Sequence, residues 1–321
     1  MRLFKALCFV AIPLSISLAS AANAADYPEQ PVKFVVPFNQ GGSSSLTARY
    51  FQKIIQDEKL LGGYPVPVVH MPGAGGSTGA LHVKDSAPDG HTVLIWHVGL
   101  CGAVALGNIN FDHSAFTPVA ATGSQSYAVV VRDDSRYKTI QELFDAAKAQ
   151  PETITAGVNL GASNHIGLVL AESAVPGLKF RYVQSGSTSA AYTAILGGHV
   201  EVGLLPIPSL KQVASKGVRL LGIMAPQRDP AFPDVPTLVE LGYDVNYSMT
   251  NWWFVAKGTP EARIAILADA FEKAMKTEDL KKNFETSSMN LDYMRGMELE
   301  QFISNQCKQI NGISKRLRGE E

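Results

Sequence analysis

Four short stretches carry the residues best suited to hold a ligand: Gly41-Gly42-Ser43-Ser44-Ser45, Gly73-Ala74-Gly75-Gly76-Ser77-Thr78, Gly161-Ala162-Ser163-Asn164 and Ser185-Gly186-Ser187-Thr188-Ser189. Each sets glycine beside hydroxyl or amide side chains, and none contains Lys or Arg. Glycine lets a ligand approach the backbone closely. Ser, Thr and Asn are neutral hydrogen-bond donors. A helix beginning there adds unpaired backbone amides and partial positive charge. The chemistry this supports is reversible holding of an anion, such as a carboxylate, without the full cost of burying an ion pair. Taken singly, each stretch reads first as a helix N-cap. Recurrence at four strand-to-helix junctions favours a site, because ligands of open α/β sheets bind where such junctions collect.

Signals for catalysis are poorer. The chain has no G-x-S-x-G elbow and no H-E-x-x-H pair, and its seven histidines are scattered. Gly73, Gly75 and Gly79 miss the G-x-G-x-x-G register of a dinucleotide loop. One enzymatic alternative stays open: a secreted α/β hydrolase using Ser163 with His165. It needs an orienting third group and an oxyanion pocket, and no pattern marks either. No cofactor or metal is expected.

The elements that must position these residues alternate in type. Strands are expected at 32–36, 67–69, 92–96 and 219–223, with an extended run at 127–131 and further strand–helix pairs beginning near 154, 180 and 200. Helices are expected at 46–58, 77–85, 140–149, 260–275 and 298–317. Short β-branched runs alternating with helices of about ten residues indicate an α/β fold with largely parallel, covered sheets. A chain of 321 residues exceeds the usual size of one domain.

Composition sets the compartment. Arg2 and Lys5 precede an apolar run from Ala6 to Leu18, and small residues end in Ala22-Asn23-Ala24. This reads as a secretory signal cleaved after Ala24, since the run is too short for a membrane span. Its removal takes two positive charges and leaves 26 basic against 29 acidic residues, a net of −3. Weak acidity with no basic run argues against nucleic acid. Cys101 and Cys307 remain, compatible with one disulfide in an oxidising periplasm, though nothing in their spacing fixes a pairing.

Five blocks then carry a resemblance: YPEQPVKFVVPFNQGGSSSLTAR from Tyr27, PVVHMPGAGGSTGA from Pro67, APDGHTVLI from Ala87, LGGHVEVGL from Leu196 and RDPAFPDVPTLVELGYDV ending at Val245. In this order they resemble the periplasmic substrate-binding proteins of tripartite tricarboxylate transporters, also called Bug receptors. The resemblance covers essentially the mature chain. It implies a two-lobed, flytrap-like binder of a small organic acid, monomeric, which hands its ligand to membrane permease subunits. The lobes would be 25–124 with the returning chain 251–321, and 125–250. Crossovers would fall near 122–128 and 247–254. Carried over from the family, one carboxylate would sit on the loops from Phe38 through Asn39, Gly42, Ser43 and Ser44 to Ser45, and from Pro72 to Gly76 with Ala74 and Gly75. The second lobe would close with Ala162, Ser163, Asn164 and His165, and with Ser185 and Ser187.

The sequence departs from the family pattern at three places. Ser45 stands where Asp is usual, Leu205-Pro206 where Phe-Asp or Phe-Asn is frequent, and Trp96-His97 where small residues follow the third strand. Strand alternation turns only one of Trp96 and His97 toward the ligand. His97 is the favoured one, and as a charged imidazole it would bind more tightly at lower pH. Trp252-Trp253 reads as hinge or core packing ahead of a stacking platform. Arg49, one turn into the first helix, is left outside the site.

Overall fold

The β-branched run at the start of the mature chain forms β1, Lys33–Val36, with Phe34, Val35 and Val36 buried. The computed structural model describes residues 27–186, 188–212 and 216–320. The secretory signal with its cleavage after Ala24, and Ser187, lie outside the described residues. From β1 the chain continues through α1, Ser43–Asp57; β2, Val68–His70; a 3-10 turn at Ala74–Gly76; α2, Ser77–Lys84; β3, Thr92–Trp96; and α3, Gly99–Ala105. Then come β4, Phe116–Arg132; α4, Ile140–Ala149; β5, Thr155–Val158; α5, Ser163–Ala174; β6, Arg181–Gln184; α6, Thr188–Leu196; β7, Val202–Pro206; α7, Ile207–Gln212; and β8, Val218–Ile223. The last part comprises β9, Ser248–Ala256; α8, Glu261–Met275; α9, Glu278–Thr286; β10, Asn290–Met294; α10, Gly296–Gly312; and α11, Ser314–Leu317.

The strands hydrogen-bond in the order β2-β1-β3-β9-β4-β7-β5-β6, with β10 and β8 also on β4. Both outer ends are parallel, as β-α-β alternation predicts: β1 with β2 and β3, and β5 with β6 and β7. The middle is antiparallel. Its spine is β4, 17 residues long, of which only 127–131 was legible as extended. Its first part pairs with β9 and β10, and its last with β7 and β8. Gly123 sits at a register shift within the pairing of β4 with β9, with φ +65°, and a Cβ there would lie 2.6 Å from Phe284. Only glycine fits that bend comfortably. The result is a two-lobed α/β fold joined by long crossing strands.

The helical tail returns to the first lobe. Helices α8 and α9 pack on α1, and α10 packs on α3. Phe34, Phe51, Trp253 and Phe271 form one aromatic cluster, with Trp253 4.4 Å from Phe271 between ring centres. Trp252 lies on the opposite face near Phe302, and both tryptophans are fully buried. They are core residues. A disulfide joins Cys101 in α3 to Cys307 in α10 across a separation of 206 residues. Closing so long a loop restricts the unfolded chain and stabilises the fold by up to about 5 kcal/mol in the chain-entropy model.

Candidate functional site

The parallel strands of both lobes aim their carboxyl ends at one cleft of about 620 Å³, within the range of small-molecule sites. The first lobe contributes the loop after β1, the turn after β2 and the residue after β3. The second contributes the loops after β5 and β6 and the end of β7. The crossing strands supply the floor through Gln125, Tyr127 and Met249. No Lys, Arg, Asp or Glu lines it among the described residues.

Helices α1 and α5 open at this cleft with N-caps Gly42 and Ala162, both extended, and neither has a side-chain cap. Ser43, Ser44 and Ser163 are therefore not caps; they lie inside their helices. The first amides of α1 have no partner within the helix and meet no cap from the protein. Gly76 closes the turn after β2 with φ +108°, and a Cβ there would fall 2.8 Å from the Trp96 ring, which lies beneath this loop. Trp96 thus supports the loop, while His97 lines the cleft.

Phe38, Asn39, Gly42, Ser43, Ser44, Ala74, Gly75, His97, Ala162, Ser163 and Asn164 all line the cleft. Ser45, His165 and Ser185 do not. The Ser45 hydroxyl pairs with His70 Nε2 at 2.8 Å on the far side of α1. His165 is buried with its Nδ1 accepting from the Gly161 amide, and it packs edge-on against Tyr182. Ser185 Oγ turns back to the Val183 carbonyl, while its neighbour Gly186 lines the cleft. Position 206, which the family pattern makes polar, does line the cleft, so Pro206 presents a ring where a donor or acceptor would stand.

His97 differs from expectation in charge. The Gly99 amide donates to its Nδ1 at 3.0 Å, which puts the ring proton on Nε2. The ring stacks on Phe38 with centres 5.2 Å apart. Burial lowers its pKa to about 3. His97 is a neutral N–H donor at physiological pH, not the charged imidazole expected from sequence.

Sequence reasoning missed the floor. Ser43 Oγ donates to Gln125 Oε1 at 2.7 Å, tying α1 to β4. Tyr127 OH donates to Ser163 Oγ at 2.8 Å, tying β4 to α5. Burial pushes the Tyr127 hydroxyl up to about 12, so it remains a donor. Gln125 and Tyr127 lie within the range 122–128, and Met249 within 247–254, where the family resemblance implies the crossovers.

A sequence profile described as tripartite tricarboxylate transporter family receptor matches residues 49–318. The chain belongs to that family. It is 29% identical over 304 residues to a UPF0065 protein of Cupriavidus necator, covering 94% of this chain and 91% of that one. It is 26% identical to protein BugT of Bordetella pertussis, covering 92% of each. Among solved structures, MatC from Rhodopseudomonas palustris with bound malate superposes with a TM-score of 0.80 at 26% identity, covering 90% of this chain and all of that one. A further Rhodopseudomonas palustris protein, solved with adipate, superposes at 0.82 with 19% identity over 92% and 99% of the two chains, which speaks for the fold alone. The family is one of transporter solute receptors and not of enzymes, which overturns the hydrolase alternative. The geometry agrees: Ser163 Oγ accepts from Tyr127, and His165 Nδ1 is occupied by the Gly161 amide.

Proposed function

We propose that this receptor holds a small organic carboxylate, a dicarboxylate or an aromatic acid, and delivers it from the periplasm to membrane permease subunits. The observation that carries the reading is the pair of uncapped helix starts, α1 and α5, opening at a cleft without charged side chains. An anion satisfies the waiting amides of α1 and the positive ends of both helices, the His165 amide of α5 being already held by Asn164 Oδ1, while neutral donors keep its release possible. The malate-bound relative supports a carboxylate of this size. His97, Ser163 and Asn164 would supply the side-chain donors, while Ser43 and Ser44, whose hydroxyls donate to Gln125 and Asn251, would contribute their backbone amides, with Phe38, Asn39, Gly42, Ala74, Gly75 and Ala162 supplying loop backbone. Residues 25–124 with 251–321, and 125–250, would close on the ligand as two lobes of a monomer.

A thermal-shift panel of organic acids tests this. A matching acid at 100 times its Kd should stabilise the protein by about 2.7 kcal/mol through mass action. Stabilisation by uncharged sugars and by no carboxylate would sink the reading.

A further inference from the structure

Six amide side chains line the cleft: Asn39, Gln40, Gln125, Asn159, Asn164 and Gln184. Asn39 and Gln40 sit on the exposed tip before α1. In each of the other four the oxygen is held by the protein itself. Gln125 Oε1 accepts from Ser43 Oγ at 2.7 Å. Asn159 Oδ1 accepts from Gln184 Nε2 at 3.1 Å, and Gln184 Oε1 from the Leu160 amide at 2.8 Å. Asn164 Oδ1 accepts two amides, those of Asn159 at 3.1 Å and His165 at 3.0 Å. An amide with its oxygen held offers a ligand its NH2, although Gln184 Nε2 already donates once to Asn159 Oδ1 and Gln125 Nε2 once to Met249 Sδ. Asn164 is the extreme case: it is 3% exposed, and its Nδ2 has no partner among the described residues.

Several other acceptors at the cleft are occupied in the same way among the described residues. His97 Nδ1 takes the Gly99 amide, and Ser163 Oγ takes the Tyr127 hydroxyl. The carbonyls of Gly42, Asn159 and Ala162 accept from Leu46, Ala162 and Ile166, and those of Gly73 and Ala74 from Gly76 and the Ser77 hydroxyl. Ser43, Ser44, Thr188, Ser189 and Ser209 keep lone pairs, but they stand in the first turns of α1, α6 and α7, where the helix end repels a cation.

We propose that this inventory makes the receptor selective against ammonium groups: it takes carboxylates bare or hydroxylated at the carbon skeleton and rejects the matching α-amino acids, with Asn164 as the residue that sets the preference. The inference rests on the carboxylate reading and narrows it. An ammonium has three donors and no acceptor. Beside Asn164, where the acceptors of Asn159, Ser163 and Asn164 among the described residues are already bonded, it would be buried poorly paired, and it would leave Asn164 Nδ2 unpaired too. A hydroxyl escapes this, because it can accept from the NH2 groups.

The test is calorimetry at pH 7.5 on matched acids: succinate, malate and aspartate; glutarate and glutamate; 3-phenylpropionate and phenylalanine. In whichever series binds, the amino acid should be about 100-fold weaker than its des-amino partner, since unpaired charged groups are costly. Malate should stay within about tenfold of succinate if that series binds, which separates charge from size. An amino acid within tenfold of its des-amino partner overturns the inference, and so does malate weakened as much as aspartate. If no acid binds at all, the carboxylate reading itself falls, and the inference with it. Asn164→Asp replaces the unpaired NH2 by an acidic oxygen at almost constant shape. It should weaken the des-amino acid and close the gap to the amino acid, whereas loss of a merely structural contact would weaken both alike. Gln125→Glu makes the same exchange on the floor and serves if Asn164→Asp melts early. A gap unchanged in both variants counts against the assignment.

Discussion

Two helices that open at the cleft, α1 and α5, begin differently from two that face away, α4 and α9. On the outside, α4 starts at Thr139, whose Oγ1 accepts from the Glu142 amide, and α9 starts at Thr277, whose Oγ1 accepts from the Leu280 amide. Both add acidic residues in the first turn, Glu142 in α4 and Glu278 and Asp279 in α9. Their amides and dipoles are satisfied within the chain. At the cleft, α1 and α5 start at Gly42 and Ala162 with no side-chain cap and no acidic residue in the first turn. The protein gives up stabilisation at two helix starts, and what it leaves unsatisfied there is the shape of an anion site. A serine-rich helix start is therefore ambiguous until one knows which residue is the cap.

The largest way to break this contrast is to give α1 an outer-type start. Gly42 has φ −81° and ψ 168°, and a Cβ there would meet only the Asn39 carbonyl, at 3.8 Å. Gly42→Asp is thus free of strain and would place a carboxylate where the ligand's should go. It should lose two or more charge-assisted hydrogen bonds' worth of affinity, about 3–6 kcal/mol or more than ~100-fold. The same variant should melt at or above the wild-type temperature, because a cap has been gained. Unchanged affinity measured by calorimetry would mean that α1 does not hold the anion.

A second difference concerns the two buried imidazoles beside the cleft. His97 and His165 both accept a backbone amide at Nδ1, and burial lowers their pKa to about 3 and about 4. Both folded values lie below the unfolded reference of about 6.5. The unfolded chain therefore binds more protons below that pH. The stability these neutral rings contribute is complete above pH 6.5 and is lost as pH falls toward 4 and then 3. At pH 5 each should cost about 1–2 kcal/mol relative to pH 7. Denaturant titrations at the two pH values measure the loss, and His165→Gln should reduce it. Equal stability at both would show that one ring or both are not held neutral.

The outer starts offer the smaller, complementary change. Thr139→Ala and Thr277→Ala should each destabilise by about 1 kcal/mol and leave ligand affinity unaltered. An affinity change in either would blur the separation between helix starts that stabilise and helix starts that bind.

Much of the fold was legible because short β-branched runs and helices alternate, and strand and helix periods differ. The strands at 92–96 and 219–223 and the helix at 140–149 fall within a residue of β3, β8 and α4. Less legible was β4, because a strand buried between two lobes lacks the alternation of a half-solvated one and carries Gly123, Ser124 and Gln125 in its middle. Helix α3 was missed for a related reason: Gly99–Ala105 is small-residue rich and almost wholly buried, so it has no polar face to set a helical period. At the candidate site, the glycine- and serine-rich stretches fall on loops that line the cleft. The floor was invisible, because Gln125 and Met249 are remote in sequence and meet only through the pairing of β4 with β9. Ser45 was misplaced by one helical step, since positions 43 and 44 face the cleft and position 45 turns to His70.

The smallest expected effect bears on His97 and is a near-absence of change. A charged imidazole would make binding tighten as pH falls through its pKa. The structure gives the opposite premise. Nδ1 is committed to the Gly99 amide, Phe38 covers the ring face, and burial holds the free-state pKa near 3. A bound carboxylate would stabilise the protonated ring and raise that value. For protonation to matter between pH 6 and pH 8, the rise would have to exceed about three units, on the order of 4 kcal/mol of added attraction. A single neutral-to-charged change of one hydrogen bond is worth less, about 1–2 kcal/mol. Affinity for an acid ionised throughout this range should therefore vary by less than about threefold from pH 6 to pH 8. His97→Asn keeps a neutral donor and should retain most of the affinity, while His97→Ala should lose roughly 1.5–3 kcal/mol, the range for a hydrogen bond to a charged group. Tenfold tighter binding at pH 6 that vanishes in His97→Asn would show the ring charging after all. It would also show that the cleft holds its anion with a cation, which would end the contrast between its uncharged helix starts and the acid-capped ones outside.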